Sequence, residues 1–261
     1  MRQTTATLAP APGHVVFVGA GPGDPELLTL RAARALAEAD IVLHDRLVGE
    51  GVLALAGAQA TLVETGKEGF GPSMLQEDIT AMILAFARAG RNVIRLKSGD
   101  PGVFGRLDEE TEALAEAGIA YTVVPGITAA SAAAAEIGQS LTRRGRNGSL
   151  RILTGHDVSG FAEQDWKSLA RGGEVAAIYM GKKAARFLQG RLMMHGAAPE
   201  TPVTLVENAS RADQRIRVAT LADLPAAAEG LGGPAVILFG LAPRAANLSA
   251  LPAVPDIKEA L

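Results

Sequence analysis

Hydrophobic residues in this chain fall into two rhythms. Short unbroken apolar runs alternate with longer stretches whose apolar positions share one side of a helix. The first rhythm predicts strands and the second amphipathic helices. The opening example is residues 15–30, V-V-F-V-G-A-G-P-G-D-P-E-L-L-T-L, which predicts a strand, a tight turn and a helix over about 26–38. Further strands are expected at 40–46, 60–65, 92–97 and 121–125, with helices at about 74–89 and 107–117. Thr128 is placed to cap an alanine-rich helix running to about 137. A second strand series follows at 152–155, 175–180, 202–207, 216–220 and 235–240, with helices around 183–195 and 221–229. The pattern is that of an α/β protein, one large or two medium domains, whose halves join near 121–150 and are divided as 14–125 and 126–241. Residues 1–13 form a loose arm, and 242–261, where periodicity is lost, a tail.

The glycine turn changes the picture first. Gly19, Gly21 and Gly23 let bare backbone approach a ligand, and a helix start attracts anions. Two residues argue against a dinucleotide. Pro22 removes an N–H from the cradle, and Asp24 stands where a G-x-G-x-x-G has its last glycine. Asp24, Pro25 and Glu26 read as N-cap, N1 and N2 of the helix, so the protein supplies its own anion there. The turn points to a nucleoside-like ligand without phosphates. The strand at 92–97 runs into Ser98-Gly99-Asp100-Pro101, a second G-D-P at a strand exit, as if two walls of one site. His44-Asp45-Arg46 is either part of that chemistry or a solvated exit. The helix at 107–117 is expected to expose an acidic face with Glu109 and Glu110 near its start.

Composition narrows the classes. The 261-residue chain has net charge −3, 48% hydrophobic residues and no cysteine, which excludes thiol nucleophiles, disulfides and thiolate-held clusters. No apolar run is long enough to span a bilayer, and no signal-peptide core is present in 1–13. The single dense basic run, R-R-G-R-N-G-S-L-R at 143–151, lacks nearby aromatics to stack bases. It is either a solvated loop or a contact for a small polyanion, and neither nucleic acid nor membrane is an expected partner. H-E-x-x-H and G-x-S-x-G are missing, so a metal enzyme or serine hydrolase is not expected.

Seven motifs then occur in order: V-G-A-G-P-G-D-P-E-L-L-T-L, L-H-D-R-L-V, K-S-G-D-P-x-V-F-G-R, V-V-P-G-I-T-A-A, T-G-H, Y-M-G and V-E-N-A. Together they closely resemble the tetrapyrrole methylase family, and within it the uroporphyrinogen-III C-methyltransferases, over roughly residues 14–241. The resemblance implies two α/β domains with S-adenosylmethionine in the cleft between them and no metal. It implies methylation of uroporphyrinogen III at C2 and C7, through precorrin-1 to precorrin-2, for sirohaem or cobalamin, by a cytoplasmic homodimer. Matched position by position, Pro22, Ser98, Gly99, Asp100, Val103, Thr128, Ala129, Met180, Ala209 and Ala235 contact the cofactor. Asp45 and Lys67 match positions assigned to proton transfer, and Arg106, Glu109 and Arg144 match substrate-facing ones. The usual G-G-D is Ser98-Gly99-Asp100 here. Leu107-Asp108 and Arg143 replace a G-G and a histidine, altering charge at the substrate mouth. The length leaves no room for a fused dehydrogenase–ferrochelatase domain, so methylation alone is expected.

The implied chemistry suits the residues. A sulfonium methyl donor is already activated, so the protein must mainly align two reactants and relocate protons. A substrate rich in carboxylates accounts for arginines in a net acidic chain. Three rivals remain: a sibling methylase of a later precorrin or another substrate, an ordinary Rossmann methyltransferase or dehydrogenase, and a non-catalytic tetrapyrrole-binding module. L-H-D-R-L-V and F-G-R favour the porphyrinogen enzyme over the first. Phe17, Pro22 and Asp24 disfavour the second, and the presence of both Asp45 and Lys67 disfavours the third.

Overall fold

The computed structural model describes residues 13–66 and 74–244. Residues 1–12 of the expected arm, residues 67–73 and residues 245–261 of the expected tail lie outside the described residues. The chain divides into two compact units at Ile127/Thr128.

The first unit is built on five parallel strands: β1 (Val15–Gly19), β2 (Ile41–His44), β3 (Thr61–Glu64), β4 (Val93–Lys97) and β5 (Tyr121–Val124). Their order is β3-β2-β4-β1-β5. Successive side chains face opposite sides, and in the central strands β1, β2 and β4 both sides are covered, whereas the edge strands β3 and β5 leave side chains exposed. Val18, Val42, Ile94 and Leu96 pack with Ala32 and Leu36 of α1 (Leu30–Ala37) and Val52 of the short α2 (Glu50–Leu53). On the opposite face, Val15, Phe17, Leu43 and Val93 meet Ile79 and Ile83 of α3 (Gln76–Arg88) and Leu114 of α4 (Leu107–Glu116). Full burial of each such side chain contributes about 1.5–3 kcal/mol.

The helix expected over 26–38 is split. Asp24 caps only a single 3-10 turn, Pro25–Leu27, by accepting the Glu26 N–H at 2.9 Å. Leu28 and Thr29 are extended, and Thr29 then caps α1 through Ala32 N–H. Asp24 and Pro25 are therefore a turn signal, and a hydroxyl starts the helix proper.

The second unit opens with α5 (Ala129–Glu136), capped by Thr128 as expected, its hydroxyl accepting Ser131 N–H. Its sheet joins β6 (Arg151–Thr154), β9 (Ala176–Tyr179), β10 (Pro202–Glu207), β11 (Arg215–Thr220) and β12 (Ala235–Phe239). The order is β11-β10-β12-β9-β6, with only the β6–β9 pair parallel. Ile178, Leu205 and Ile237 form its core with Leu188 and Leu192 of α7 (Ala185–Met194) and Leu224 of α8 (Leu224–Ala228). Two small elements escape sequence patterning: the hairpin β7 (His156–Asp157) with β8 (Gly160–Phe161), and α6 (Trp166–Leu169). Each is too short to repeat the signal that would reveal it. No helix among the described residues is long and apolar enough to cross a membrane.

Candidate functional site

In the first unit the site grows from the sheet's connectivity. β1 and β4 pair side by side, yet β1 leads to α1 on one face and β4 to α4 on the other. Adjacent parallel strands whose connections diverge leave a crevice at their carboxyl ends. The two G-D-P turns meet there. Gly21 and Gly99 form a bridge, and Ala20 N–H donates to Lys97 O at 2.8 Å. Asp100 ties in a third loop: its Oδ1 accepts Gly102 N–H at 2.8 Å and its Oδ2 accepts Gly126 N–H at 2.9 Å. A Cβ on Gly126 would stand 2.2 Å from Gly99 O, so only glycine lets these loops close. Val103 N–H returns to Asp100 O at 3.1 Å. Pro22, Ser98, Gly99, Asp100 and Val103 thus lie on one backbone platform.

Asp45 leaves the end of β2 toward β4. Its Oδ1 is 2.6 Å from Arg95 Nη2, and its Oδ2 accepts Ser98 N–H at 3.4 Å. Its side chain keeps 33% exposure, whereas His44 beside it is buried, so this is not a freely solvated exit. Arg95 Nε lies 3.0 Å from Glu110 Oε1, and Lys97 Nζ lies 2.7 Å from Glu110 Oε2. Glu110 also accepts from Gln76 Nε2 at 2.9 Å. Glu110 is fully buried, which corrects its expected place on an exposed acidic face. Only Glu109 lies outward, because α4 turns Glu110 onto Arg95 and Lys97 of the sheet. Burial, followed by the neighbouring Arg95 charge, lowers the Lys97 pKa, and Glu110 opposes that shift. Sequence reasoning missed Arg95, Lys97 and Glu110. The available signal was R-L-K inside an apolar strand, since buried charges require partners.

Lys67 lies outside the described residues. Arg106 and Glu109 are both exposed and grip each other in a two-point pair, 2.8 and 2.7 Å. That hydrogen bonding raises the Arg106 pKa and lowers the Glu109 pKa. They border a hollow of about 340 Å³ with Pro101, Phe104 and Asp108. The basic run is not one patch. Arg146 is spent on Ser140 O and Asn147, and Arg151 lies in β6 near Glu174. Arg143 and Arg144 are exposed beside a hollow of about 580 Å³ lined by residues 142–148.

In the second unit, the remaining residues of the resemblance gather at one end of the sheet. Tyr179 Oη accepts Ala130 N–H at 2.9 Å, tying the start of α5, with Thr128 and Ala129, to the exit of β9. Glu207 pairs with Ala235, and Asn208 N–H donates to Pro234 O at 2.9 Å, so Ala209 leaves the end of β10 at the end of the sheet where β12 begins with Ala235. Extending the β9–β12 register brings Met180 level with Ala235. Non-glycine residues with positive φ among the described residues are Phe104, Arg106, Met180, Asn208 and Ser210, all beside the candidate positions. Strain of that kind collects where ligands are held.

The tetrapyrrole (corrin/porphyrin) methylase family model matches residues 14–225. The siroheme synthase of Edwardsiella ictaluri is 43% identical over 242 residues, covering 92% of this chain and 52% of that protein. The siroheme synthase of Gluconacetobacter diazotrophicus is 47% identical, covering 87% of this chain and 49% of that protein. The chain thus spans about half the length of the curated relatives it matches. Among solved structures, the uroporphyrin-III C-methyltransferase of Thermus thermophilus complexed with S-adenosylhomocysteine is 38% identical with a TM-score of 0.74. That likeness covers 87% of this chain and 97% of the other. A cobalt precorrin-4 methyltransferase is 27% identical with a TM-score of 0.78, covering 87% and 94%.

Proposed function

This chain belongs to the tetrapyrrole methylase family, and from that premise we propose that it methylates uroporphyrinogen III at C2 and C7, yielding precorrin-2 through precorrin-1. S-adenosylmethionine would supply an activated methyl group. The observation that carries the reading is the joined pair of G-D-P turns. Gly99, at φ +70 with no heavy atom within 4 Å of a would-be Cβ, offers open backbone to a ligand at the strand exits. The second unit fits as well, because buried Asn208 Oδ1 has no hydrogen-bond partner among the described residues and lies next to Ala209. In this reading Pro22, Ser98, Gly99, Asp100, Val103, Thr128, Ala129, Met180, Ala209 and Ala235 hold the donor.

The nucleophile is a pyrrole carbon that needs no serine, cysteine or metal to activate it. The chain's task is to orient it and to move protons after transfer. Asp45, partly exposed and held from behind, is suited to accept or return a proton, with Lys67 as the second group. Arg106 and Arg144 meet the substrate's carboxylates, Arg106 with its fork oriented by Glu109. A cytoplasmic homodimer belongs to the same reading. Similarity to the Thermus enzyme supports it over a later precorrin methylase, since identity is 38% against 27%. The test is transfer of labelled methyl from S-adenosylmethionine to uroporphyrinogen III. Label in the tetrapyrrole supports the reading, and label left in the donor contradicts it.

A further inference from the structure

We infer that Arg95 is the positioning residue of this reaction, fixing Asp45 through a buried ion chain that ends in Glu110 and Lys97. The inference rests on the proposed proton-transfer role of Asp45. Four charged groups form the chain, Asp45–Arg95–Glu110–Lys97, and their charges cancel. Each link has a direction. Lys97 Nζ and Gln76 Nε2 hold the Glu110 carboxylate, one on each oxygen. Glu110 Oε1 receives Arg95 Nε, which sets the plane of the guanidinium. Arg95 Nη1 spans to Leu43 O and Leu96 O, both at 3.4 Å. Arg95 Nη2 is left to grip Asp45 Oδ1 at 2.6 Å.

Only Asp45 reaches solvent. The side chains of Arg95 and Lys97 are each 3% exposed and that of Glu110 is 0%, against 33% for Asp45. Stability alone does not explain such a chain, because buried ion pairs are often no better than an apolar filling of equal volume. Orientation does explain it. A guanidinium can bind two carboxylates through different edges at once, whereas an ammonium presents a single point. The chain carries the rigidity of the sheet and α4 out to one carboxylate at the strand exit. Asp45 is thereby held in one rotamer before substrate arrives, and this raises the fraction of productive encounters.

The test is a double-mutant cycle between positions 45 and 95 on the full chain. Arg95→Lys keeps the buried positive charge that Glu110 needs but cannot span both carboxylates. It should lower kcat at least about tenfold, while KM for S-adenosylmethionine moves less than about threefold. In an Asp45→Asn background the same substitution should lower kcat by less than about threefold, because nothing remains to position. Arg95→Gln repeats the cycle without the charge, and matched melting temperatures exclude unfolding. If Asp45→Asn alone turns over like the wild type, the proton-transfer reading falls and the inference falls with it. If Asp45→Asn is impaired and the two losses multiply, the reading stands and the positioning role of Arg95 is overturned. Unchanged kcat in folded Arg95→Lys overturns it as well.

Discussion

Gly21 and Gly99 hydrogen-bond each other in both directions, 3.1 Å from Gly21 N to Gly99 O and 2.8 Å from Gly99 N to Gly21 O. Through this exchange two loops distant in sequence become one surface at the carboxyl ends of β1 and β4. Pro22 follows one glycine and Asp100 the other, so the positions matched to cofactor contact are set by backbone and not by long side chains.

The Asp100 carboxylate should therefore matter more to this surface than its partial exposure implies. Hydrogen bonds to a charged acceptor are worth about 1.5–3 kcal/mol each, and Asp100 takes two from backbone. Because the Gly102 bond is exposed and contributes little, Asp100→Ala should lower unfolding free energy by about 2–3 kcal/mol and weaken S-adenosylhomocysteine binding at least about tenfold. Gly126→Ala should act in the same direction by forcing the Gly99 carbonyl aside. Urea melts and calorimetric titration check both, and a stable, tightly binding Asp100→Ala would show that the loops do not depend on this tie.

Lys97 gives a pH signature. Its folded pKa lies below the ordinary 10.5, chiefly through burial. Between the depressed value and 10.5 the unfolded chain binds more protons at this site than the folded one, so stability rises with pH there. The stability of the wild type relative to Lys97→Met should accordingly increase as pH is raised through that window. Denaturant midpoints of both proteins against pH measure it. A wild-type advantage that shrinks on raising pH would mean that the Glu110 pairing outweighs burial.

Much of this is legible in the sequence, for physical reasons. Strands buried on both faces leave unbroken apolar runs, so β1, β2 and β12 announce themselves, and the paired G-D-P motifs mark where β1 and β4 end. The ion chain is less accessible. Glu110 sits among Asp108, Glu109 and Glu112, and only the packing of α4 on β4 separates the buried carboxylate from its exposed neighbours. The break before α1 is also hidden, because Asp24-Pro25-Glu26 fits a helix start as well as it fits the 3-10 turn it makes.

Arg144 tests how the ligands divide. It stands exposed in the loop 142–148, and its neighbours Arg146 and Arg151 are committed elsewhere. Arg144→Ala should weaken tetrapyrrole binding by about 10- to 150-fold, and Arg144→Lys should recover part of it. S-adenosylhomocysteine affinity should move less than about threefold. The two ligands are titrated separately on the same variant. Loss of S-adenosylhomocysteine binding with tetrapyrrole binding spared would put the basic loop at the donor.

The central claim is the identity of the acceptor and the number of methyl groups it receives. Purified protein, S-adenosylmethionine and uroporphyrinogen III are incubated anaerobically, and the tetrapyrrole is followed by mass, with a later precorrin as the competing acceptor. The account predicts a monomethylated species that gives way to a dimethylated product, matched by S-adenosylhomocysteine, while the later precorrin gains nothing. Methylation of the later precorrin with uroporphyrinogen III unchanged would contradict it.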